Sequence, residues 1–387
     1  FMNLLKKYQN SYFSYFLMYN FYYLSWALFS ALISVYLMNK GFKASDVSIV
    51  VSVSFLTSMI TQPIIGSLNE KKNIKKVDTL LFILAMLGSI AFMLSNNLIL
   101  ITINYSIVLL VLNGVNPVLE KIATTSPYPY GKIRIWGTIG YALGSQLAGL
   151  LYDRISPSSI FIVFVFTLLL CILGMLGTKN TITNTTTTTK TKTSTLFKNK
   201  SFLYYLVICA LFYGVTNMSN TFIPTMLTSK GLDVSLTSTI LSLAVFCEAP
   251  LVLFSYKFMD KLANKTLLLI SIGMVLVQCA IYGFNLPLPF ILLITLLTKH
   301  PAGMLYIMIN LKVINTIIEE QHQIIALALV ATLKNLVGIV FQNIAGIILD
   351  VTTYSHLYLI CLVIISIDFI LVCLFKIEKG TDKKLFS

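Results

Sequence analysis

Six ionisable side chains stand where apolar sequence should exclude them. Glu248, Lys299, His300, Lys334 and Asp368 lie inside long hydrophobic runs, and Arg134 heads another. A charge at membrane depth costs roughly 2.5–3.5 kcal/mol on insertion scales, so each needs a partner or a task. Glu248 follows Phe246 and Cys247. A carboxyl there can carry a proton or accept from a solute; alternatively it forms a structural ion pair with Lys334. Both readings hold if the pair opens on solute binding. Lys334 is about ten residues into its run, too deep to snorkel easily. Arg134 offers a fork of five donors that suits a carboxylate or vicinal hydroxyls; its other reading is a topology marker in a basic loop. His300 precedes Pro301 and is either a proton relay or a satisfied polar group at a kink. Lys299 faces a water-filled cavity or snorkels, and Asp368 reads as structural. Asn217 and Asn220 are three apart and share a helix face, where they can bond a hydroxylated solute or a neighbouring helix. Glu120 and Lys121 read as gate or surface charges.

The elements that hold these residues are membrane helices. The chain has 387 residues, 57% hydrophobic and 11% charged, with a mean hydropathy of +0.86. A soluble domain carries about 25% charged residues. A spanning helix needs about 20 mainly apolar residues, and twelve runs qualify: 14–38, 46–68, 78–95, 98–119, 135–152, 158–177, 202–226, 236–258, 266–284, 288–310, 324–349 and 356–375. The net charge of +14 would point a soluble protein at nucleic acid, but here the bases sit in short loops. Twenty-two fall in one set of alternate loops, four (Lys40, Lys43, Arg154, Lys230) in the other, with Lys299 and Lys334 left inside spans. Positive residues favour the cytoplasm, so both termini are expected there.

Two stretches organise the whole. The segment 130–153 opens as a basic loop with Arg134 and Trp136, then becomes a helix with glycines at 137, 140, 144 and 149. Small residues so spaced let another helix approach backbone to backbone. The Thr/Lys tract 178–201 is low in complexity and is expected to be a flexible linker. It divides the chain into six spans and six, 1–177 and 202–387. The halves echo each other: the second span runs through Pro63 into Glu70-Lys71, the eighth through Pro250 into Asp260-Lys261. Repeated halves mark secondary transporters. The first span is rich in aromatics (Tyr19, Tyr22, Tyr23 and Trp26 among them), read as cavity wall, belt or packing. The six cysteines all lie in apolar runs without a CxxC pair, so neither a disulfide framework nor a metal site is expected. No Walker loop, HExxH or nucleophile elbow is present, which speaks against an enzyme or a nucleotide-driven pump.

These features carry a resemblance. The layout and the 2–3 loop GSLNEKK resemble the major facilitator superfamily, whose loop signature is Gly-x-x-x-Asp-(Arg/Lys); Gly66 and Lys71 match and Glu70 replaces the Asp. The resemblance implies an all-α fold of twelve transmembrane helices in two pseudo-symmetric six-helix bundles. It also implies a gating role for Gly66, Glu70, Lys71, Asp260 and Lys261. The stretch EKIATTSPYPYGKIRIWGTIGY is similar to the lactose-permease and phenylpropionate-permease branch. By that resemblance Arg134 falls on the branch's substrate-binding arginine, Tyr141 on its sugar-stacking tryptophan, and Asn116 on a substrate-binding glutamate. Lys334 falls on its eleventh-span lysine, and the run with Glu248 on a Glu-x-Pro signature. The pattern departs at Asn217 and Asn220, which replace two acids, at Gln278, which replaces an arginine, and after His300, where no Glu follows.

The expected function is secondary transport of a sugar, nucleoside or aromatic acid by alternating access, driven by proton symport without a cofactor. A drug-efflux antiporter is the alternative. The substrate set is Arg134, Tyr141, Asn116, Asn217, Asn220 and Lys334; Glu248 and His300 are the proton-coupling pair. The expected partners are the solute, protons and the lipid bilayer. The protein is expected as a working monomer in the cell membrane, with no nucleic acid partner.

Overall fold

The computed structural model describes residues 8–71, 74–179 and 193–377. Among the described residues, twelve helical spans follow the twelve predicted runs. They are α1 Tyr12–Asn39, α2 Ala44–Lys71, α3 Ile74–Leu94, α4 Leu98–Thr124, α5 Tyr130–Arg154, α6 Ser159–Gly177, α7 Lys200–Ser229, α8 Val234–Leu253, α9 Asn264–Gly283, α10 Leu288–Ile317, α11 Gln323–Val351 and α12 Tyr354–Leu374. Among the described residues, 11 spans are long and apolar enough to cross a membrane. The twelfth is α5, long enough at 25 residues but diluted by glycine, Arg134 and Tyr141. Residues 180–192 of the expected linker, and the tail from 378, lie outside the described residues.

An exposed leucine stripe runs along α3. On α3, Leu80, Leu87 and Leu94 are 67%, 61% and 69% exposed, while Phe82, Ala85, Ser89 and Phe92 are buried. Residues seven apart return to one face after two turns, so this helix shows leucine to lipid and small or aromatic side chains to its neighbours.

The chain divides into two compact units. The first comprises 1–187 with 227–242, the second 188–226 with 243–387. In the first, α1 packs along α5 and α6, and α4 lies against α2 and α3. The predicted small-residue stripe of α5 is the seat for α1: a Cβ on Gly140 would lie 2.2 Å from the Asn20 carbonyl oxygen, and one on Gly144 would lie 2.4 Å from that of Leu24. The aromatics of α1 mostly pack. Phe29 meets Phe92, Tyr105, Phe161 and Phe164 at centroid distances of 5.4, 5.3, 5.7 and 5.1 Å, the spacing of edge and offset contacts.

In the second unit α9 lies along α12 and against both pieces of α10. The units echo each other at a helix end. Lys75 at the start of α3 donates to the carbonyls of Leu176 (2.9 Å) and Thr178 (2.5 Å) at the end of α6. Lys265 at the start of α9 donates to the carbonyl of Cys373 at the end of α12. A cation on the last carbonyls of a helix satisfies orphan acceptors and opposes the dipole. Another echo, with both members inside the first unit, closes α1 and α7, with Lys40-Gly41-Phe42 and Lys230-Gly231-Leu232. The glycines sit at φ 95° and 91°, and Phe42 and Leu232 N–H groups reach back to Leu37 and Leu227.

The echo between α2 and α8 ends differently. Pro63 is carried inside an unbroken α2. The same pattern breaks α8 into Val234–Phe246 and Ala249–Leu253, followed by a turn of helix at Ser255–Phe258.

Candidate functional site

Each unit holds its own polar cluster. In the first, α1, α4 and α5 converge. Tyr19 and Tyr23 are one turn apart on α1, and Asn116 and Glu120 one turn apart on α4, so each pair presents one face. Glu120 accepts at Oε1 from the hydroxyls of Tyr19 (2.5 Å) and Tyr23 (3.1 Å), and at Oε2 from Tyr130 (2.7 Å). Tyr23 also lies 3.2 Å from Asn116 Oδ1. Pro117 inside α4 removes the helical donor to the Asn113 carbonyl.

Arg134, half-buried in the first turns of α5, stands over the face of Tyr23 at 5.4 Å from the ring centroid. It is in electrostatic reach of Glu120 and of the Tyr19 and Tyr130 hydroxyls. Its contact with the carboxylate runs through the tyrosines. Among the described residues no side chain or carbonyl takes a hydrogen bond from its planar donor fork. Trp136 turns the other way: its Nε1 donates to Tyr12 (2.7 Å), and its ring packs on Phe16. Tyr141 lies two turns below Arg134, half-buried and near Tyr105.

In the second unit two helices break beside each other. α8 is interrupted at Cys247 and Glu248, and α10 at Lys299 and His300 between Leu288–Thr298 and Pro301–Ile317. Pro250 and Pro301 each withhold the N–H that a continuous helix would give. The pieces that follow the breaks pack on one another. Broken backbone at membrane depth is tolerated where it lines a cavity or is buried in protein. Both breaks carry charge: Lys299 is in electrostatic reach of Glu248, and its Nζ is 3.1 Å from His300 Nε2. An ammonium has no acceptor, so this contact uses the imidazole nitrogen as acceptor.

Lys299 also lines a small, partly open recess with Thr216, Ser219, Asn220, Gln278 and Thr298. Its wall is a hydrogen-bonded chain. Thr298 donates to Gln278 Oε1 (3.0 Å), Gln278 to Tyr282 (3.3 Å), and Tyr282 meets Thr295 at 2.6 Å.

The sequence-nominated residues therefore separate. Arg134 and Asn116 share one cluster; Asn220, Glu248 and His300 belong to the other or border it. Asn217 donates from Nδ2 to the Lys334 carbonyl at 3.0 Å. The Lys334 ammonium stands over the Tyr213 ring at 5.3 Å. Among the expected gate residues, Gly66 has open space where a Cβ would go, and Lys261 is exposed. Asp260 is in reach of Lys312, whose Nζ bonds the carbonyls of Met259 and Leu262. The side chains of Glu70 and Lys71 lie outside the described residues. Sequence reasoning read Glu120 as a gate or surface charge, Lys299 as facing a cavity or snorkelling, and Tyr19 and Tyr23 as cavity wall, belt or packing, and it gave Tyr130 no role; it did not join them into a site. The one-turn spacings 19/23 and 116/120 were the signal available.

The profile described as MFS_1 like family matches residues 12–360. An uncharacterized transporter, YwbF of Bacillus subtilis (strain 168), is 26% identical over 239 residues, 60% of this chain and 58% of that one. A sucrose permease of Escherichia coli is 28% identical over 166 residues, 39% of each chain. The chain thus spans 58% and 39% of the length of these two relatives. A maltose permease of Geobacillus stearothermophilus is 23% identical over 339 residues, 84% of this chain and 85% of that one. Among solved structures, a point mutant of the nucleoside transporter NupG superposes with a TM-score of 0.84 at 16% identity, covering 94% of this chain and 99% of that one. The peptide transporter POT in complex with sulfate gives 0.72 at 12% identity, over 94% and 93%.

Proposed function

Because the chain belongs to the MFS_1 like family of multi-pass membrane transporters, we propose that it carries a hydroxylated solute of the sugar or nucleoside class together with a proton. The observation that supports this reading is the paired break of α8 and α10, with Lys299, which is in electrostatic reach of Glu248 and in contact with His300, on the wall of a hydroxyl- and amide-lined recess. Transporters place substrate and ion at discontinuous helices. Neutral donors and acceptors such as Ser219, Asn220, Gln278 and Thr298 match hydroxyl groups, which both give and take hydrogen bonds.

Glu248 is the proton carrier in this reading, and Lys299 its counter-charge. Protonation frees the ammonium for solute, so proton and solute binding support each other. The permease and nucleoside-transporter relatives favour this solute class. The loop charges favour cytoplasmic termini in a cell membrane, and a single chain suffices as the working unit.

Proteoliposomes with a trapped pH-sensitive dye test it. Sugars and nucleosides are added singly with no imposed gradient. Internal acidification by a member of either class is the expected result. A folded protein that exchanges a radiolabelled solute with no proton movement overturns the symport reading and leaves a uniporter.

A further inference from the structure

Away from both clusters, where α2 ends and α3 begins, two buried polar side chains face each other. Asn69 is 3% exposed and Asp78 0%. Asn69 Nδ2 donates to Asp78 Oδ1 at 2.8 Å. The remaining two oxygens, Asn69 Oδ1 and Asp78 Oδ2, are both buried and both without a hydrogen-bond partner. Two orphan acceptors on one bonded pair are costly: each unsatisfied buried group forfeits its hydration with nothing in return.

Among the described residues no counter-cation answers for them. Among the described residues, Asn69 from α2 is hydrogen-bonded to Asp78, and the groups in electrostatic reach of it are the Tyr22 hydroxyl from α1, which donates to the Leu112 carbonyl, and the Cys171 thiol from α6; none comes from α4. Lys75, one turn earlier on the same helix, is engaged with the α6 carbonyls. Flipping the Asn69 amide only exchanges one mismatch for another, since an amide brings one acceptor whichever way it lies.

One proton resolves both orphans. We propose that Asp78 is a proton-binding site, held as a carboxylic acid with its proton on Oδ2 and shared with Asn69 Oδ1. The amide then donates to the acid carbonyl and the acid O–H donates to the amide carbonyl, a closed two-bond ring. The proton comes from water and no bond is broken. The couple pins the last turn of α2 to the first turns of α3, beside the 2–3 loop. Losing the proton leaves an uncompensated carboxylate there and loosens that joint. The site is separate from Glu248 and does not depend on the identity of the solute.

Infrared difference spectroscopy of the full chain in lipid nanodiscs reads it directly, at neutral pH and in sodium-free buffer. A protonated-carboxyl C=O band, shifted in D₂O, is expected in wild type and lost in Asp78→Asn, which keeps a neutral side chain with a donor for Asn69. Asn69→Leu is the second variant and covers a failure of the first to fold: the band stays but moves, because the acid loses its amide partner. A wild-type spectrum in which Asp78→Asn removes nothing and Asn69→Leu moves nothing overturns the proposal. A band that vanishes on adding sodium also overturns it, in favour of a cation site.

Discussion

Tyr23 stands between Glu120 and Arg134, its hydroxyl 3.1 Å from the carboxylate and its ring face 5.4 Å from the guanidinium. One aromatic side chain therefore joins the acid of α4 to the base of α5 without a direct ion pair. Truncating it in steps separates the two contacts. Tyr23→Phe keeps the cation–π contact and loses the hydrogen bonds, roughly 1 kcal/mol or about fivefold in KM. Tyr23→Leu loses both and should cost more. Equal KM values for wild type and both variants would count against the cluster as a solute site.

Arg134 should tolerate no conservative replacement. Lysine keeps the charge but not the fork, and it stacks less well on a ring. Arg134→Lys is expected to lose most uptake while the protein reaches the membrane at normal levels. Wild-type uptake would return the residue to its alternative role as a topology marker.

Glu248 and Lys299 should separate coupling from exchange. In proteoliposomes, Glu248→Gln is expected to retain solute exchange at equal concentrations but to lose accumulation driven by a pH gradient. Lys299→Met removes the counter-charge and should weaken solute binding at least tenfold, about 1.4 kcal/mol. Gradient-driven accumulation by Glu248→Gln at the wild-type rate would move the proton site elsewhere.

Gly140 tests the packing of α5 on α1. A Cβ there meets the Asn20 carbonyl at 2.2 Å, so the helices must separate. Overpacking costs typically 1–3 kcal/mol. Gly140→Ala should lower the melting temperature in detergent, and Gly140→Leu should abolish the folded species on size exclusion. Gly66, with nothing within 4 Å of its virtual Cβ, should accept alanine without a change in melting temperature.

The spans, their number and the glycine seat of α5 follow from local rules that read directly along a chain. Twenty apolar residues must hydrogen-bond their own backbone in lipid, and glycines on one helical face can only serve close approach. The polar sites obey a different logic. A membrane helix is apolar all round, so sequence does not say which way it is rotated. Packing decides that, and it turned Glu120 inward to three tyrosines, although near a helix end it reads as a gate or surface charge. It also set Lys299 near Glu248, and laid Lys334 over Tyr213. The break in α8 was equally hidden: Pro63 and Pro250 sit in similar runs, yet only the second interrupts its helix. The charges were legible one by one because the membrane makes each costly; their partners lie on other helices, and only the tertiary structure brings those together.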